Sequence, residues 1–454
     1  MTRFHCILST RLLGAACLLG AAALSACGVF EKKPQRLVIA YTNDVRGEIR
    51  SCGCATNDLG GLGRRATFIN VLRDTTTADV LLVDAGDFFS ASINYGKEKA
   101  ELTLKSMSFM NYDGIVPGEN EFSFGVAYFH ERARAAGLPV VASNLFDAGA
   151  DTLLFAASRT VTLASGLRVG LVGAISPMTK FPPQVTPGSI AVKDPIAATQ
   201  AAVDALRPGV DVVVVLTHMN RGEATKFSEA LTGVDAIVNG HEGLPMRQVK
   251  RWGEADVLQA SAKGMYVGVA NAMLGDDKRI ARLKNVSVGL DKTFADDEGV
   301  AKLFNAYDME VVAREKASLP TGVQATFAGA DACQACHAPI FEQWKGTRHA
   351  HAFDVLTAQN RQFDRDCTPC HTTGFFKAGG FVNAVATPHL SGVQCESCHG
   401  NGVAHAKDPG VKTDTVASST CRSCHSAEQT PDFDFATFWA RIDHAKGAPT
   451  SGSH

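Results

Sequence analysis

The segment RLVIAYTNDVRG, Arg36 to Gly47, decides the fold. Its first six residues include Val, Ile and Tyr in an apolar run, the composition of a buried strand. The next residues turn polar: Thr42, Asn43, Asp44, then Arg46 and Gly47. Such a hand-over marks the strand end where α/β folds place their sites. The pattern recurs in DVLLVDAGD (79–87), LPVVASN (138–144), LRVGLVGAIS (167–176), DVVVVLTH (211–218) and DAIVNGH (235–241), each read as a strand. Between strands lie helical stretches such as Gly63–Leu72 and Ile196–Leu206. Residues 36–290 therefore read as an α/β domain. Asp44, Asp87, Glu119, His218 and His241 fall just past strand ends, where such folds place their sites.

The chain has 454 residues and a net charge of −2, so it shows no basic footprint for nucleic acid. Residues 1–26 read as an export signal: Arg3 and Arg11, then an apolar run from Leu12 to Leu24. The ending LSAC resembles a bacterial lipobox, which makes Cys27 the acylated first residue and residues 27–35 a tether. Ordinary cleavage after Ala26 is the rival reading. An acylated end holds a protein at a membrane without spanning it. The expected address is the periplasm or outer membrane of a Gram-negative bacterium.

The last part of the chain carries CQACH, CTPCH, CESCH and CRSCH, four Cys-x-x-Cys-His motifs. Two thiols at this spacing reach the two vinyl groups of one porphyrin, and the next His faces the iron. The thiol pairs are Cys333/Cys336, Cys367/Cys370, Cys395/Cys398 and Cys421/Cys424, with proximal ligands His337, His371, His399 and His425. Zinc knuckles are the rival reading, but zinc does not require a His after every pair. Four covalently bound haem c groups are expected. The remaining histidines of this part, His349, His351, His389, His405, His444 and His454, are a pool of sixth ligands. Redox partner proteins, either other cytochromes or a quinone-linked donor, are the expected partners.

The stretches FEQWKGTRHAHAF and GVQCESCHGNGVAH resemble the tetrahaem cytochrome c family of nitrifying bacteria. By that resemblance His349 and His405 are distal ligands, with His351 a rival to His349 and His389 and His444 weaker candidates. The family also tolerates one five-coordinate haem. Residues 327–454 are expected to be a mostly irregular and α-helical multihaem domain whose porphyrins replace much of its core.

The first domain in turn resembles the metallophosphoesterase domain of the periplasmic 5′-nucleotidase family. TNDVRG, GGLGRRAT, VDAGDFFS, PGENEFSFG, VVVVLTHMN and VNGHEG follow that family's motif order. The resemblance implies a four-layer α/β sandwich and a two-metal site bridged by Asp87. Arg46, Asn120 and Gly243 stand where the family has His, and Glu119 where it has Asn. One divalent metal is thereby expected, on Asp87, Glu119, His218 and His241, with Asp44 left beside Arg46 as a fixed positive charge. From these departures nucleotide hydrolysis is expected to be unlikely and the enzyme class uncertain, an oxidoreductase being the favoured option. Residues 296–318, within an expected linker over 291–326, resemble the family's inter-domain helix.

Cys52 and Cys54 are the only thiols not assigned to signal, lipid or haem. The stretch SCGC…DLGGLGRR resembles a redox branch of nucleotidase-like proteins in which selenocysteine can take the second position. Three readings stay open: an inert disulfide, soft ligands to a metal, or a reactive dithiol with its thiol pKa lowered by Arg46, Arg50, Arg64 and Arg65. On the third, Cys52, Cys54 and Arg46 carry the chemistry. The whole reads as an exported, lipid-anchored electron carrier with a redox or binding head. The alternatives are an appended metal-dependent phosphoesterase and a purely structural docking domain.

Overall fold

A computed structural model describes residues 35–51, 58–91, 96–243, 245–246, 248–317, 326–359, 361–365, 367–375, 377–426, 429–430 and 432–444. The expected signal over residues 1–26, Cys27, Cys52, Cys54 and His454 lie outside the described residues. The strands are β1 (Arg36–Thr42), β2 (Asp79–Asp84), β3 (Gly114–Ile115), β4 (Leu145–Asp147), β5 (Thr152–Leu153), β6 (Ser158–Thr162), β7 (Arg168–Ile175), β8 (Ile190–Val192), β9 (Val212–His218), β10 (Ala236–Gly240), β11 (Lys250–Trp252), β12 (Ala255–Leu258), β13 (Tyr266–Leu274) and β14 (Ile280–Gly289). One sheet has the order β14-β13-β1-β2-β3 and a second the order β11-β12-β10-β9-β7-β6. The pairs β1–β2, β2–β3, β7–β9 and β9–β10 are parallel, and antiparallel strands form the β14 edge of the first sheet and both edges of the second.

Strand alternation builds the layers. Leu37, Ile39 and Tyr41 of β1 join Val212, Val214 and Leu216 of β9 in one core between the sheets. Val38 and Ala40 point the other way, onto α1 (Leu62–Thr75) and α2 (Gly96–Phe109), with α3 (Val126–Ala135) in the same cluster. Val213 and Val215 likewise face α4 (Pro195–Leu206) and α5 (Arg221–Ala230). A strand buried on both faces needs a continuous apolar run, which explains the four valines of β9. The result is the expected helix–sheet–sheet–helix sandwich. The segment LPVVASN departs from expectation: Val140 and Val141 make only isolated bridges. α6 (Glu298–Ala317) packs on α1 and α2, with Arg50–Asp308 at 2.7 Å and Arg314–Glu98 at 2.6 Å.

The haem-motif region is built of shorter pieces: α7 (Asp331–Lys345), α8 (Ala352–Ala358), α9 (Thr368–His371), α10 (Cys395–His399), α11 (Val403–Lys407), α12 (Ser418–Arg422) and α13 (Phe435–Trp439). The first Cys-x-x-Cys-His motif lies within α7, the third coincides with α10, the second enters α9 after Cys367, and the fourth has only Cys421 and Arg422 in α12. Helices this short are marginal alone. Its apolar cluster among the described residues is small: Phe327, Phe353, Leu356, Phe381 and Leu390. No helix among the described residues is long and apolar enough to cross a membrane.

Candidate metal cleft and haem sites

The two sheets bring five strand ends together. Asp44 follows β1, Asp87 follows β2, Glu119 lies beyond β3, His218 ends β9 and His241 follows β10. His218 Nε2 stands 3.2 Å from Glu119 Oε2 and 3.7 Å from Asp87 Oδ1, and His241 Nδ1 stands 3.3 Å from Glu119 Oε1. The donor atoms of Glu119, His218 and His241 all lie within 4.8 Å of one another, as do those of Asp44, Asp87 and His218. His218 Nδ1 donates to Ala85 O at 2.7 Å, which turns Nε2 into the cleft in the way metal-binding imidazoles are fixed. Three glycines make this possible. A Cβ at Gly118 would stand 2.3 Å from Asp87 Oδ1, and one at Gly86 or Gly240 would stand 2.8 Å from His218 Nδ1.

The charge balance favours a cation. Burial pushes the Asp87 carboxyl up to about 6, partly offset by His218. Burial opposes charging of His218, yet Asp87, Glu119 and Asp44 outweigh it and push the imidazole up to about 10. Burial would raise Glu119 too, but the imidazoles of His218 and His241 hold it well below the usual carboxylate range. A proton on His218 thus compensates an excess of carboxylates, and a divalent ion supplies the same compensation. Glu119 Oε2 is buried, with His218 Nε2 as its ion-pair partner at 3.2 Å. A carboxylate flanked by two imidazoles fits a metal ligand.

Sequence reasoning missed the frame around these ligands. Glu121 is fully buried and accepts from the backbone N–H groups of Asp87 (2.8 Å), Phe89 (2.9 Å) and Gly118 (2.7 Å). Burial and the neighbouring Asp87 push its carboxyl up to about 8. Asn43 accepts from Ala260 N at 2.7 Å and donates to Asp44 Oδ2 at 2.8 Å. The available signal was a Glu inside the apolar turn NEF and an Asn preceding the first Asp. Of the arginines expected beside the thiols, Arg50 pairs with Asp308, Arg64 pairs with Asp58 at 2.9 Å and Arg65 is fully buried on the inner face of α1. Arg46 pairs with Asp44 at 3.1 Å.

In the C-terminal region three histidine pairs form among the described residues: His337 with His405 at 6.0 Å between centroids, His349 with His425 at 6.2 Å and His399 with His444 at 5.8 Å. Each pair holds one motif histidine. Two imidazoles on opposite faces of one metal stand about 6 Å apart: two bonds of about 2 Å and two ring radii of about 1 Å. His405 Nδ1 meets Val411 O at 2.7 Å and His425 Nδ1 meets Thr430 Oγ1 at 3.1 Å, which leaves each Nε2 for a metal. Burial pushes His349, His399 and His425 below the usual range, towards the neutral form an iron ligand needs. His371 Nδ1 meets Ala352 O at 2.5 Å, and no imidazole faces its ring among the described residues. His351 spends both ring nitrogens, on Asp354 at 2.9 Å and Lys345 O at 3.1 Å. His389 is exposed and joins no ring pair among the described residues. The thiols of Cys333 and Cys395 are hydrogen-bonded, as are those of Cys370 and Cys424. A cavity of about 590 Å³ lies between the first and third motifs, walled by Phe341, Trp344 and Trp439. Apolar walls, two thiol pairs and facing imidazoles fit porphyrin groups.

A helix–sheet–sheet–helix sandwich with carboxylates and imidazoles at its strand ends defines a metallophosphoesterase-like domain. The family model for cytochrome c554 and c-prime matches residues 332–400. A snake venom 5′-nucleotidase of Gloydius brevicauda is 28% identical over 321 residues, covering 64% of this chain and 53% of that protein. A 5′-nucleotidase of Diplobatis ommata is 30% identical over 220 residues, covering 46% of this chain and 37% of its own. A 5′-nucleotidase precursor from Thermus thermophilus superposes with a TM-score of 0.52 at 24% identity, covering 61% of this chain and 59% of that one. The chain thus joins a 5′-nucleotidase-like metallophosphoesterase domain to a cytochrome c554-like segment. It spans about half the length of the first of these relatives.

These relatives correct one expectation. The substitutions Arg46, Asn120 and Gly243 were read as making nucleotide hydrolysis unlikely and the enzyme class an uncertain oxidoreductase. The proteins that share the domain are nucleotidases, and that reading does not stand. The physical reason is in the cleft: Asp87, Glu119, His218 and His241 still converge at metal-binding distances.

Proposed function

We propose that this chain is an exported, lipid-anchored electron carrier with four c-type haems, joined to a metal-dependent phosphoester hydrolase. The carrying observation is the set of three imidazole pairs at 5.8 to 6.2 Å, each containing one Cys-x-x-Cys-His histidine. In this reading His337 with His405, His399 with His444, and His425 with His349 would each hold a haem iron. His371 would hold the fourth. When bound, the haems supply one-electron transfer, and the metal supplies Lewis acidity towards an ester oxygen. The protein's own part in the first domain is to orient ligands through Glu121, Asn43 and the Ala85 carbonyl. Arg46 presents a fixed positive charge at the mouth of the cleft. Partner proteins are other cytochromes or a quinone-linked donor.

Three measurements test the proposal. A haemochrome assay with intact mass should give four haems per chain; three or fewer after full maturation would overturn the count. Cys27→Ser should move the protein from the membrane fraction to the soluble periplasm, and an unchanged distribution removes the anchor. Purified protein with manganese or zinc should release phosphate from a nucleoside monophosphate or a model phosphoester, and a chelator should stop it. No metal-dependent release from either substrate would overturn the hydrolase half alone.

A further inference from the structure

We infer that the cleft takes one divalent metal, with Arg46 standing as a built-in second cation, which deepens and rests on the metal-dependent reading above. The two groups of donors in the cleft both need His218. Only Nε2 of that imidazole is available, because Nδ1 is held by Ala85 O at 2.7 Å. One lone pair binds one ion. An ion on Glu119, His218 and His241 leaves the other position two carboxylates, Asp44 and Asp87, and an ion on Asp44, Asp87 and His218 leaves it Glu119 and His241, so two donors remain either way.

Asp44 is already engaged. It is fully buried, its Oδ1 receives Arg46 Nη2 at 3.1 Å and its Oδ2 receives Asn43 Nδ2 at 2.8 Å. The other positions that the family resemblance would use offer nothing. Gly243 has no side chain, and Asn120 enters the cluster through its backbone N–H, 2.9 Å from Asp87 Oδ1. Arg46 is placed by the backbone: its N–H donates to Asp87 O at 2.7 Å, and its φ of 55° and that of Asp44, 51°, are left-handed values that non-glycine residues rarely hold. A framework that keeps two such residues in place fixes the guanidinium over Asp44.

Charge counting gives the same answer. Asp44, Asp87 and Glu119 carry three negative charges when ionised. Arg46 and one divalent ion cancel them. A second divalent ion would leave the cleft strongly positive beside a guanidinium that cannot lose its proton. Arg46 is 42% exposed and keeps N–H donors beyond the one spent on Asp44, so a bound oxyanion would meet the metal on one side and Arg46 on the other.

The test uses the full haem-loaded chain, stripped with a chelator and dialysed against zinc or manganese. Elemental analysis, with haem iron as internal standard, should give one added metal per chain. Two metals overturn this inference and leave the hydrolase reading standing; none overturns both. Arg46→His with Gly243→His supplies two imidazoles, and added metal should rise to two per chain. If it stays at one in a double variant that keeps its haem spectrum and melting temperature, the assignment of Arg46 to the second cation's place fails. Arg46→Gln removes the charge and keeps a donor for Asp44. Calorimetry should show its first metal binding about three- to tenfold tighter, because a repelling cation is gone. Weaker binding would mean that Arg46 only shapes the loop, and would overturn its role as a cation.

Discussion

Gly118 shows how little room the cleft leaves. An added methyl would stand 2.3 Å from Asp87 Oδ1 and 2.7 Å from His218 Nε2, so Gly118→Ala must push two ligands apart. Divalent metal affinity should fall at least about tenfold by calorimetry, roughly 1.4 kcal/mol, while the haem count stays unchanged. The histidines of the C-terminal region separate just as sharply. His349 faces His425, whereas His351 is tied by both nitrogens to Asp354 and Lys345. His349→Ala should therefore turn one haem high-spin, visible in the absorption spectrum and by electron paramagnetic resonance. His351→Ala should leave the spin states alone, and the reverse pattern would exchange the two assignments. Asp87, Glu119, His218 and His241 were legible in the sequence because each follows an apolar run. Glu121 was not, because its role is to hold three backbone N–H groups that only folding gathers.

At the scale of elements, α5 begins three residues after His218 and sets the direction of the chain leaving the cleft. Asn220 caps it: its side chain accepts from Glu223 N at 3.0 Å, and the Glu223 carboxylate accepts from Asn220 N at 3.3 Å. Asn220→Ala should lower stability by about 1 kcal/mol. The first domain's melting transition should move down by a few degrees, with haem absorbance unchanged. A shift of the haem transition instead would mean the cap supports a different unit. Most strands were readable from apolar runs, and the valines of β9 are the clearest case. LPVVASN was misread because an apolar run fixes burial but not pairing: Val140 and Val141 pack in a place where the ladder does not continue. The haem-motif helices were readable only as attachment sites, since four or five residues carry no helical periodicity.

For the whole molecule, the two parts of the chain differ in what holds them. The sandwich has three large apolar clusters, whereas the C-terminal region has one small one around Phe353 and Phe381. Protein made without haem attachment should therefore be cut by protease throughout residues 326–444 while residues 36–290 resist, as read by mass spectrometry of the fragments. Equal resistance of both parts would show that the haems are not needed for the fold. The sequence alone determined the α/β class and the four Cys-x-x-Cys-His motifs, because these depend on local periodicity and fixed spacing. It did not determine which distal histidine meets which motif, that Glu121 frames the ligands, or that Arg46 lies on Asp44. The histidine pairs and the Glu121 contacts join residues far apart in the chain, which only packing and loop closure bring within reach, and the Arg46–Asp44 contact depends on a left-handed turn that residue types do not dictate.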